Sequence, residues 1–322
     1  MMKEHSTKLT LLTCLSDGQF HSGEKLGELL GISRAAVSKH IKGIQCWGID
    51  IFRVQGRGYQ LADPLEMLSQ SSLVAASDDA SVDVIPIIDS TNQYLLDRTS
   101  ELSSGSVCLA EYQAAGRGRR GREWVSPFGA NLYLSMYWKL DAGMAAAMGL
   151  SLVVGVAVVE ALEKIGVQGI KLKWPNDLYY NDKKLAGILV ELSGQAGGAA
   201  HIVIGLGLNM SMKSEVEGID QPWTSLTEVC NGEVPNRTEL AQALICAWHT
   251  ALTDYELNGM SGFVPRWNRL DNFLGRNVRL LIGPRELEGE VMGINEQGAV
   301  LLKTHNGLES HIGGEISLRK ND

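Results

Sequence analysis

Residues 111–124 read EYQAAGRGRRGREW and interleave arginines with glycines inside a chain whose formal net charge is −8. Glycine lets the backbone adopt conformations and close approaches that a Cβ forbids. Arginine supplies planar, permanently charged donors that suit phosphate and carboxylate groups. This combination predicts a flexible loop that wraps an anion, which the spacing alone does not name. A disordered RGG-like nucleic-acid segment and a solvated turn are the alternatives, but Trp124 and the apolar strand after it anchor the segment in a fold.

Length and composition describe a soluble protein of two or three domains, since 44% of its 322 residues are hydrophobic and 20% are charged. The negative net charge and a pI near 5.5 argue against a general nucleic-acid coat, so any DNA contact is expected to be local. Five scattered cysteines without a C-x-x-C pair predict neither a disulfide framework nor a zinc site, which favours a reducing cytoplasm. No signal peptide is expected. The apolar run 142–159 is interpreted as a buried core helix that Gly166 ends, rather than as a membrane span.

Residues 8–62 form a self-contained unit with a helix-turn-helix pattern. Ser22 and Ser33 can cap the second and third helices, which a tight turn at residues 31–33 joins. The third helix has an apolar side, while basic and polar residues project outward. Two short strands around residues 55–58 then predict a wing with Arg57 near its tip. The arrangement predicts DNA binding; a small helical protein-interaction module is the alternative.

The region 82–270 alternates strands and helices. An apolar strand at 82–88 leads into Ser90, Thr91 and Asn92 at the start of a helix predicted over 92–102, where free backbone donors and short polar side chains converge. Plain N-capping is the simpler interpretation of these three residues. A second strand, 107–112, leads through Gln113 into residues 114–124, which we call the Gly-Arg loop.

The segment 170–192, IKLKWPNDLYYNDKKLAGILVEL, predicts two strands joined by a turn at Asn181 and Asp182, with the sequence WPND interrupting the first strand. Strand alternation puts Lys183 and Lys184 on opposite faces. The face of Lys184 is expected to carry Ala186, Ile188 and Val190, and that of Lys183 to carry Leu185 and Leu189. A lysine at the head of an apolar face either snorkels at a sheet edge or reaches into a pocket, and the pattern alone favours snorkelling.

The strand 201–209, HIVIGLGLN, lacks the third glycine and the following helix of a dinucleotide fingerprint, so its glycines are expected to let a ligand or a neighbouring backbone pass close. Residues 211–237 are expected to form an irregular, mobile loop that carries Trp223. Thr238 then caps a long amphipathic helix. From Phe273 onward, short strands between regular turns predict a small β-barrel of five or six strands.

The sequence contains no nucleophile motif: it has neither a G-x-S-x-G elbow nor an H-E-x-x-H pair. The available chemistry is positive charge around an anion. That chemistry suits phosphoryl or nucleotidyl transfer with a metal-bound nucleotide, in which an enzyme positions and neutralises its substrate.

Seven motifs occur in order along nearly the whole chain: IDSTNQYLLDR (88–98), EYQAAGRGRRGREW (111–124), SPFGANLYLSM (126–136), KWPNDLYY (173–180), KLAGILVEL (184–192), GLGLNM (205–210) and GGEISLR (313–319). Together they resemble the bifunctional biotin–protein ligases and biotin-operon repressors of bacteria. The resemblance implies an α+β multidomain fold. A winged helix-turn-helix domain is expected at 1–64, a mixed α/β catalytic domain like that of class II aminoacyl-tRNA synthetases at 65–270, and an SH3-like β-barrel at 271–322.

The resemblance also implies the site. The Gly-Arg loop is expected to close over biotin and the adenylate phosphate, and Lys184 is selected over Lys183. Lys184 and Arg119 are the implied catalytic residues. The implied biotin contacts are Ser90, Thr91, Asn92, Gln113, Arg117, Gly118, Arg119 and Lys184. The implied ATP and adenylate contacts are Gly116, Arg119, Arg122, Trp124, Asn176, Asp177, Asn209 and Trp223. The candidate DNA contacts are Ser33, Arg34, Ala35, Ser38, Lys39 and Arg57.

The implied reaction joins biotin to the α-phosphate of Mg-ATP, after which a lysine of a biotin carboxyl carrier protein displaces AMP. Biotin and ATP with Mg²⁺ enter as substrates; no dedicated metal cage, tightly bound prosthetic group or membrane partner is expected. The adenylate-bound form is implied to dimerise and to bind a two-fold operator. A lipoate-type ligase and a ligand-sensing repressor without ligase activity are the alternatives.

Overall fold

Three separate β-sheets organise the protein in a computed structural model that describes residues 2–74, 80–194, 198–212, 218–283, 285–312 and 316–320. Within these residues the sheets have two, seven and five strands in order along the chain. The predicted α+β multidomain class is confirmed. Residues 313–315 of the closing GGEISLR motif lie outside the described residues, as do Pro284 and residues 213–217 of the predicted mobile loop.

The N-terminal unit is a winged helix-turn-helix, as predicted. Its elements are α1 (Met2–Leu15), α2 (Gly23–Leu30), α3 (Arg34–Gln45), β1 (Ile51–Val54) and β2 (Gly58–Leu61). The Ser22 hydroxyl accepts from Lys25 N and the Ser33 hydroxyl from Ala36 N, both at 3.1 Å, which caps α2 and α3. Gly31 ends α2 with φ = 65°, a left-handed conformation that glycine adopts without strain.

The central unit is a seven-stranded sheet with helices packed on it. Its strands are β3 (Val82–Ile88), β4 (Val107–Gln113), β5 (Asn131–Leu140), β6 (Lys171–Lys173), β7 (Asp177–Tyr180), β8 (Lys183–Ser193) and β9 (Ala200–Asn209). Its helices are α4 (Gln70–Val74), α5 (Thr91–Leu96), α6 (Leu150–Lys164), α7 (Leu226–Val229), α8 (Arg237–Asn258) and α9 (Phe263–Leu270). The strand order is β3-β4-β5-β9-β8-β7-β6; β3 and β4 are parallel, and the other neighbouring strands are antiparallel. Helix α5 is shorter than predicted and ends at Leu96.

Helix α6 is the predicted buried core helix. By length and composition the segment Met144–Lys164 could cross a membrane, but 67% of its most apolar window is buried inside the protein. Its side chains pack in the main core with Leu134 of β5 and Trp248 of α8. The helix begins only at Leu150, because Gly149 with φ = 82° separates it from a short 3₁₀ turn. The apolarity of this run is therefore explained by packing.

Residues 171–193 form three strands rather than the predicted two. The residues Trp174, Pro175 and Asn176 reverse the chain, so that Lys173 pairs with Asp177 in an antiparallel hairpin. A β-bulge follows, because Tyr179 pairs with Lys184 but Leu178 pairs with Ala186. The extra residue moves Lys184 away from the face of Ala186 and Ile188, which lie in the core. The predicted grouping of Lys184 with these residues is wrong.

The C-terminal unit is a five-stranded antiparallel sheet. Its strands are β10 (Asn277–Ile282), β11 (Arg285–Ile294), β12 (Val300–Thr304), β13 (Gly307–His311) and β14 (Ile316–Lys320), in the order β13-β12-β11-β10-β14. The Trp174 indole N–H donates to Gly298 O at 3.0 Å, which fastens this sheet to the β6–β7 turn. Five or six strands were predicted here; closure into a barrel stays a prediction.

The N-terminal unit packs on both ends of the segment that carries the Gly-Arg loop. The Trp47 ring stacks on Phe128, with centroids 5.6 Å apart, and contacts Tyr112 at 6.1 Å. Phe128 N donates to Trp47 O at 2.8 Å. Core clusters continue across the predicted boundaries after residues 64 and 270, so those boundaries stay predictions.

A buried ion pair joins the central sheet to residues 62–69, the segment between β2 and α4, which we call the linker. Glu111 on β4 accepts from Arg237 Nη2 at 2.7 Å and from Leu68 N at 2.6 Å, and the two side chains are 1% and 12% exposed. Arg237 Nη1 also donates to Asn131 O at 3.2 Å. The pair therefore holds β4, β5, α8 and the linker in one arrangement.

We expect Arg237→Leu to lower the free energy of unfolding by about 3 to 5 kcal/mol, because it leaves the Glu111 carboxylate buried without its cation. Urea denaturation of the full chain measures this. Arg269→Leu is the matched control: it removes a half-exposed bidentate pair with Glu163 and is expected to cost less than about 1 kcal/mol. Equal losses in the two variants would contradict the assigned role of Arg237.

Candidate active site

A cleft of about 570 Å³ opens on the face of the central sheet that carries Gly187, Gly205 and Gly207. The Gly-Arg loop, the first turn of α5, the β6–β7 turn and the edge of the C-terminal sheet surround it. Twelve of the predicted site residues line it: Ser90, Thr91, Asn92, Gln113, Arg117, Gly118, Arg119, Arg122, Trp124, Asn176, Asp177 and Lys184. The fold thus brings together residues that are up to 94 positions apart in the sequence.

The floor of the cleft at the start of α5 is a network of short polar side chains. Ser90 caps α5 through Gln93 N at 3.4 Å, so the N-capping interpretation is confirmed for this residue. Gln113 Oε1 accepts from Thr91 N at 3.0 Å and from the Thr91 hydroxyl at 3.2 Å. The Ser135 hydroxyl lies within hydrogen-bond distance of Thr91 Oγ1 and Asn92 Oδ1, at 2.7 and 2.5 Å. The residues between β3 and α5 therefore both cap the helix and line the cleft.

Missing Cβ atoms shape the cleft. A Cβ on Gly205 would collide with the Asn92 amide, and a Cβ on Gly207 would collide with the Trp124 indole. The indole also covers Gly187, which pairs with Gly207 across β8 and β9. Gly205 and Gly207 were expected to let a ligand or a neighbouring backbone pass close. In this structure the groups that approach them are instead two side chains of the protein itself, an amide and an indole.

The Gly-Arg loop is a hairpin-like excursion closed at its base. Trp124 N donates to Gly116 O at 2.9 Å, and Gly118 N donates to Arg122 O at 2.8 Å. Gly116 is buried against Trp124 O and the Ser126 hydroxyl, where a Cβ would not fit. It does not line the cleft but closes the base of the loop, and its contact with the nucleotide stays a prediction. Arg120 takes the one left-handed turn of this loop at a non-glycine residue, with φ = 60°.

Two arginines of the loop reach opposite sides of the cleft. Arg119 Nη1 donates to Asn176 Oδ1 at 3.0 Å, and Asn176 Nδ2 donates to Ile188 O at 2.7 Å. Burial lowers the pKa of Arg119, which nearby Asp177 partly offsets, and the guanidinium stays protonated. Arg117 instead donates to Gln93 Oε1 at 2.7 Å and pairs with Glu191. Two of the three guanidinium nitrogens of Arg117 are thus directed at protein groups.

Lys184 reaches into the cleft, so the snorkelling interpretation is wrong. Its Nζ lies 2.9 Å from Asp177 Oδ1 and 5.5 Å from the centroid of the Trp124 ring, and the lysine and aspartate side chains are each 15% exposed. Lys183 pairs with Glu228 at 2.7 Å, and both of these side chains are about half exposed. The β-bulge explains the difference between the two neighbouring lysines.

Two residues predicted at the nucleotide lie outside the cleft. Asn209 is buried and donates to Thr224 O at 3.1 Å, which fixes the chain within the 211–237 segment. Trp223 lines a separate depression on the surface with Lys183 and Met212. Lys184 N donates to Pro222 O at 3.0 Å, and this pairing brings Gln221 and Pro222 to the cleft instead.

Sequence reasoning missed one end of the cleft. It is lined by Lys173, Tyr179, Asp182, Phe273 and Arg279. Lys173 Nζ donates to the Tyr179 hydroxyl at 3.0 Å, and burial raises the pKa of this phenol, with Asp177 and Asp182 adding to the rise. Lys173 belongs to the KWPND motif and could have been chosen. Phe273 lies between α9 and β10, Arg279 lies on β10 of another sheet, and neither gives a local signal. Within the described part of the chain, no group of three or more His, Cys, Asp and Glu residues could hold a metal ion.

The predicted DNA contacts lie on the N-terminal unit. Ser33, Arg34, Ala35 and Lys39 are exposed at the beginning of α3, whereas Ser38 is half-buried. The Arg57 guanidinium, at the turn of the wing, lies 4.1 Å from the centroid of the Phe20 ring. These positions leave the DNA contacts as predictions.

Comparison with known proteins covers all three units. Residues 84–209 match the biotin/lipoate A/B protein ligase family, 7–60 an HTH domain, and 273–319 the biotin protein ligase C-terminal domain. The chain is 53% identical to the bifunctional ligase/repressor BirA of Salmonella typhimurium and 52% to that of Escherichia coli, in each case over 99% of both chains. A solved structure of biotin protein ligase from Aquifex aeolicus in complex with biotin and ATP superposes with a TM-score of 0.67 at 30% identity, covering 75% of this chain and 99% of that one.

We expect Gly207→Ala to displace the Trp124 indole and loosen the Gly-Arg loop, because the new methyl group takes the space of the ring. Trypsin should then cleave the loop about tenfold faster, since the opened loop is more often accessible to the protease. Gly262→Ala is the control: it has open space around its Cβ position and ordinary φ. An unchanged rate of cleavage in the loop of Gly207→Ala would contradict the assigned contact.

Proposed function

Because the chain belongs to the bifunctional biotin ligase/repressor family, we propose that its cleft forms biotinyl-5′-adenylate and passes biotin to a lysine of a biotin carboxyl carrier protein. The observation that carries this proposal is the convergence of Lys184 and Arg119 on one cavity, between the polar floor at Thr91 and the Trp124 indole. The Lys184 ammonium and the Arg119 guanidinium then both face the position where a phosphate would lie.

The first step is attack of a biotin carboxylate oxygen on the α-phosphorus of Mg-ATP. The bond from that phosphorus to the oxygen that bridges to the β-phosphate breaks, and pyrophosphate leaves. In the second step the neutral amine of the carrier lysine attacks the acyl carbon, AMP leaves with the anhydride oxygen, and the amine loses a proton. Negative charge grows on the phosphate oxygens in the first transition state, where fixed cations stabilise it most.

Lys184 and Arg119 are the proposed stabilising cations, and each is already held by a partner. Asp177 orients Lys184, and Asn176 orients Arg119, so the KWPND segment acts mainly through these two side chains. Mg²⁺ enters with the phosphates of ATP, and the scheme uses no tightly bound prosthetic group. Because both cations are already held in place, they need not reorient when the transition state forms.

The proposed ligand positions follow the two ends of the cleft. Biotin lies against Ser90, Thr91, Asn92 and Gln113, with Arg117 and Gly118 above it; the adenylate lies toward Trp124 and Arg122. Gly116 and Asn209 act by shaping the surrounding backbone rather than by contact. The biotinyl anhydride hydrolyses in water, so a closed Gly-Arg loop protects it between the two steps.

The N-terminal unit supplies the repressor half of the proposal. Adenylate-bound chains form a homodimer that binds a two-fold operator through α3 and the wing, because one small recognition helix contributes limited affinity. The stacking of Trp47 on Phe128 supports a link between the ligand site and this unit, since Phe128 lies four residues beyond the Gly-Arg loop. We assign the protein to the cytoplasm, in keeping with its free cysteines.

Lys184→Gln is expected to lower the rate of biotin-dependent pyrophosphate exchange by about 10²- to 10³-fold, through loss of one transition-state cation. Lys183→Gln, which removes a surface cation from the adjacent position, should keep the wild-type rate. Exchange is measured with biotin and with lipoate, and transfer with a carrier domain. Exchange with lipoate alone would favour the lipoate-type ligase, and no exchange or transfer at all would favour a sensor without ligase activity.

Ligand should strengthen operator binding. With biotin and ATP present, we expect gel-shift affinity to rise at least about tenfold, together with a shift from monomer to dimer in sedimentation, because dimerisation presents two recognition helices. Arg34→Ala should weaken operator binding by about tenfold if the side chain contacts a base. Lys303→Ala, an exposed cation on the C-terminal sheet, should bind like the wild type. Operator affinity that ignores ligand would contradict this half of the proposal.

A further inference from the structure

Glu191 is a charged residue beside the cleft that connects the Gly-Arg loop with the polar floor. It lies on β8 and pairs with Val203 across the sheet. Its two carboxylate oxygens accept from Arg117 Nη2 at 3.0 and 3.1 Å, and one of them accepts from Asn92 Nδ2 at 2.8 Å. One carboxylate thus holds a loop residue and a floor residue at the same time.

The contact belongs to a longer chain of hydrogen bonds. Beyond Asn92 it continues to the Ser135 hydroxyl, which donates to Asn92 Oδ1 and lies 2.7 Å from the Thr91 hydroxyl, and Thr91 N donates to Gln113 Oε1. Gln113 Nε2 then donates to the Ser126 hydroxyl at 3.1 Å, and this hydroxyl donates to Trp124 O at 3.0 Å. The chain therefore leaves the Gly-Arg loop at Arg117 and returns to it at Trp124. Ordering the floor and closing the loop are one structural event.

A neutral side chain cannot replace the carboxylate in this position. The carboxylate offers acceptors only, and both neighbours present donors. One carboxylate oxygen accepts from both Arg117 Nη2 and Asn92 Nδ2, so a glutamine with its amide oxygen there would keep the two contacts but lose their charge. Its amide N–H groups would then face Arg117 Nη2, where the second carboxylate oxygen now accepts. Both contacts are weakened as a result, and the other acceptor of Asn92 Nδ2, Leu189 O, lies at 3.4 Å.

We infer that Glu191 is a positioning residue for the biotin half of the cleft, where it fixes the Asn92 amide and holds Arg117 over the same pocket. The inference rests on the proposed function, which assigns Asn92 and Arg117 to biotin. Arg117 acts in this arrangement as the latch of the loop, because its Nη1 donates to Gln93 and its Nη2 to Glu191. Biotin that stabilises the floor also stabilises the closed loop.

The test is Glu191→Gln in the full chain, assayed for adenylate formation and adenylate release. The KM for biotin is expected to rise about tenfold and the adenylate to dissociate about tenfold faster, as for loss of a charge-assisted hydrogen-bond pair that is partly exposed. The KM for ATP and the kcat at saturating biotin should stay within about twofold, since Glu191 does not face the reacting atoms. A merely structural role would move all four constants together or none of them, and either result would overturn the inference.

Glu163→Gln is the matched control, because Glu163 forms a bidentate pair with Arg269 of similar exposure that joins only α6 and α9. It should keep every constant at the wild-type value. The double variant Glu191→Gln with Arg117→Gln should release adenylate no faster than the worse single variant, since both changes break one latch. Additive losses would show that the two side chains act separately and would overturn the inference.

Hydrogen exchange of the ligand-free chain separates this inference from the proposed function. Amides of the Gly-Arg loop should exchange faster in Glu191→Gln than in the wild type or in Glu163→Gln, whether or not the protein makes an adenylate. A wild-type chain without biotin-dependent exchange of pyrophosphate would refute the proposed function alone. Loop amides that exchange equally in all three proteins would refute the role of Glu191.

Discussion

The cleft depends on the absence of Cβ atoms from three positions of the central sheet. Gly187 and Gly207 lie opposite each other on β8 and β9, and the Trp124 indole occupies the space above them. Gly205, two residues before Gly207, gives the same room to the Asn92 amide. Any side chain at these positions would lift the loop and the floor off the sheet. The cleft is therefore defined by backbone approach before any charged group enters it.

Charge in the cleft is distributed in fixed pairs rather than as a general positive patch. Lys184 is held by Asp177, Arg119 by Asn176 and Arg117 by Glu191. Each cation lies at a set distance from the indole or the floor, in a chain that is acidic overall. This arrangement suits an enzyme that stabilises a phosphate transition state through prearranged partners. It does not suit a surface that collects nucleic acid, which is the reading of these arginines that the structure excludes.

The Gly-Arg loop is bounded by two residues that contact the same tryptophan of the N-terminal unit. Tyr112 precedes the loop and Phe128 follows it, and both rings pack against Trp47, just beyond the recognition helix α3. The segments on both sides of the loop thus pack on one point of the helix-turn-helix. The buried pair of Glu111 and Arg237 makes the base of this connection rigid.

Short stretches of sequence determined the secondary-structure elements and the chemical groups that are available. Their composition and periodicity predict the capping serines, the wing, the buried helix α6 and the Gly-Arg loop. The motifs, by resemblance, also identified most of the cleft residues. Only the tertiary structure showed why Lys184 enters the cleft as the resemblance implies, because one extra residue in β8 reverses the alternation that the strand pattern predicts for it. It also decided that Asn209 and Trp223 lie away from the cleft, and that Glu191, Phe273 and Arg279 line or brace it. These outcomes depend on strand register and on packing between distant segments, and the pattern of side chains along one segment contains no information about either.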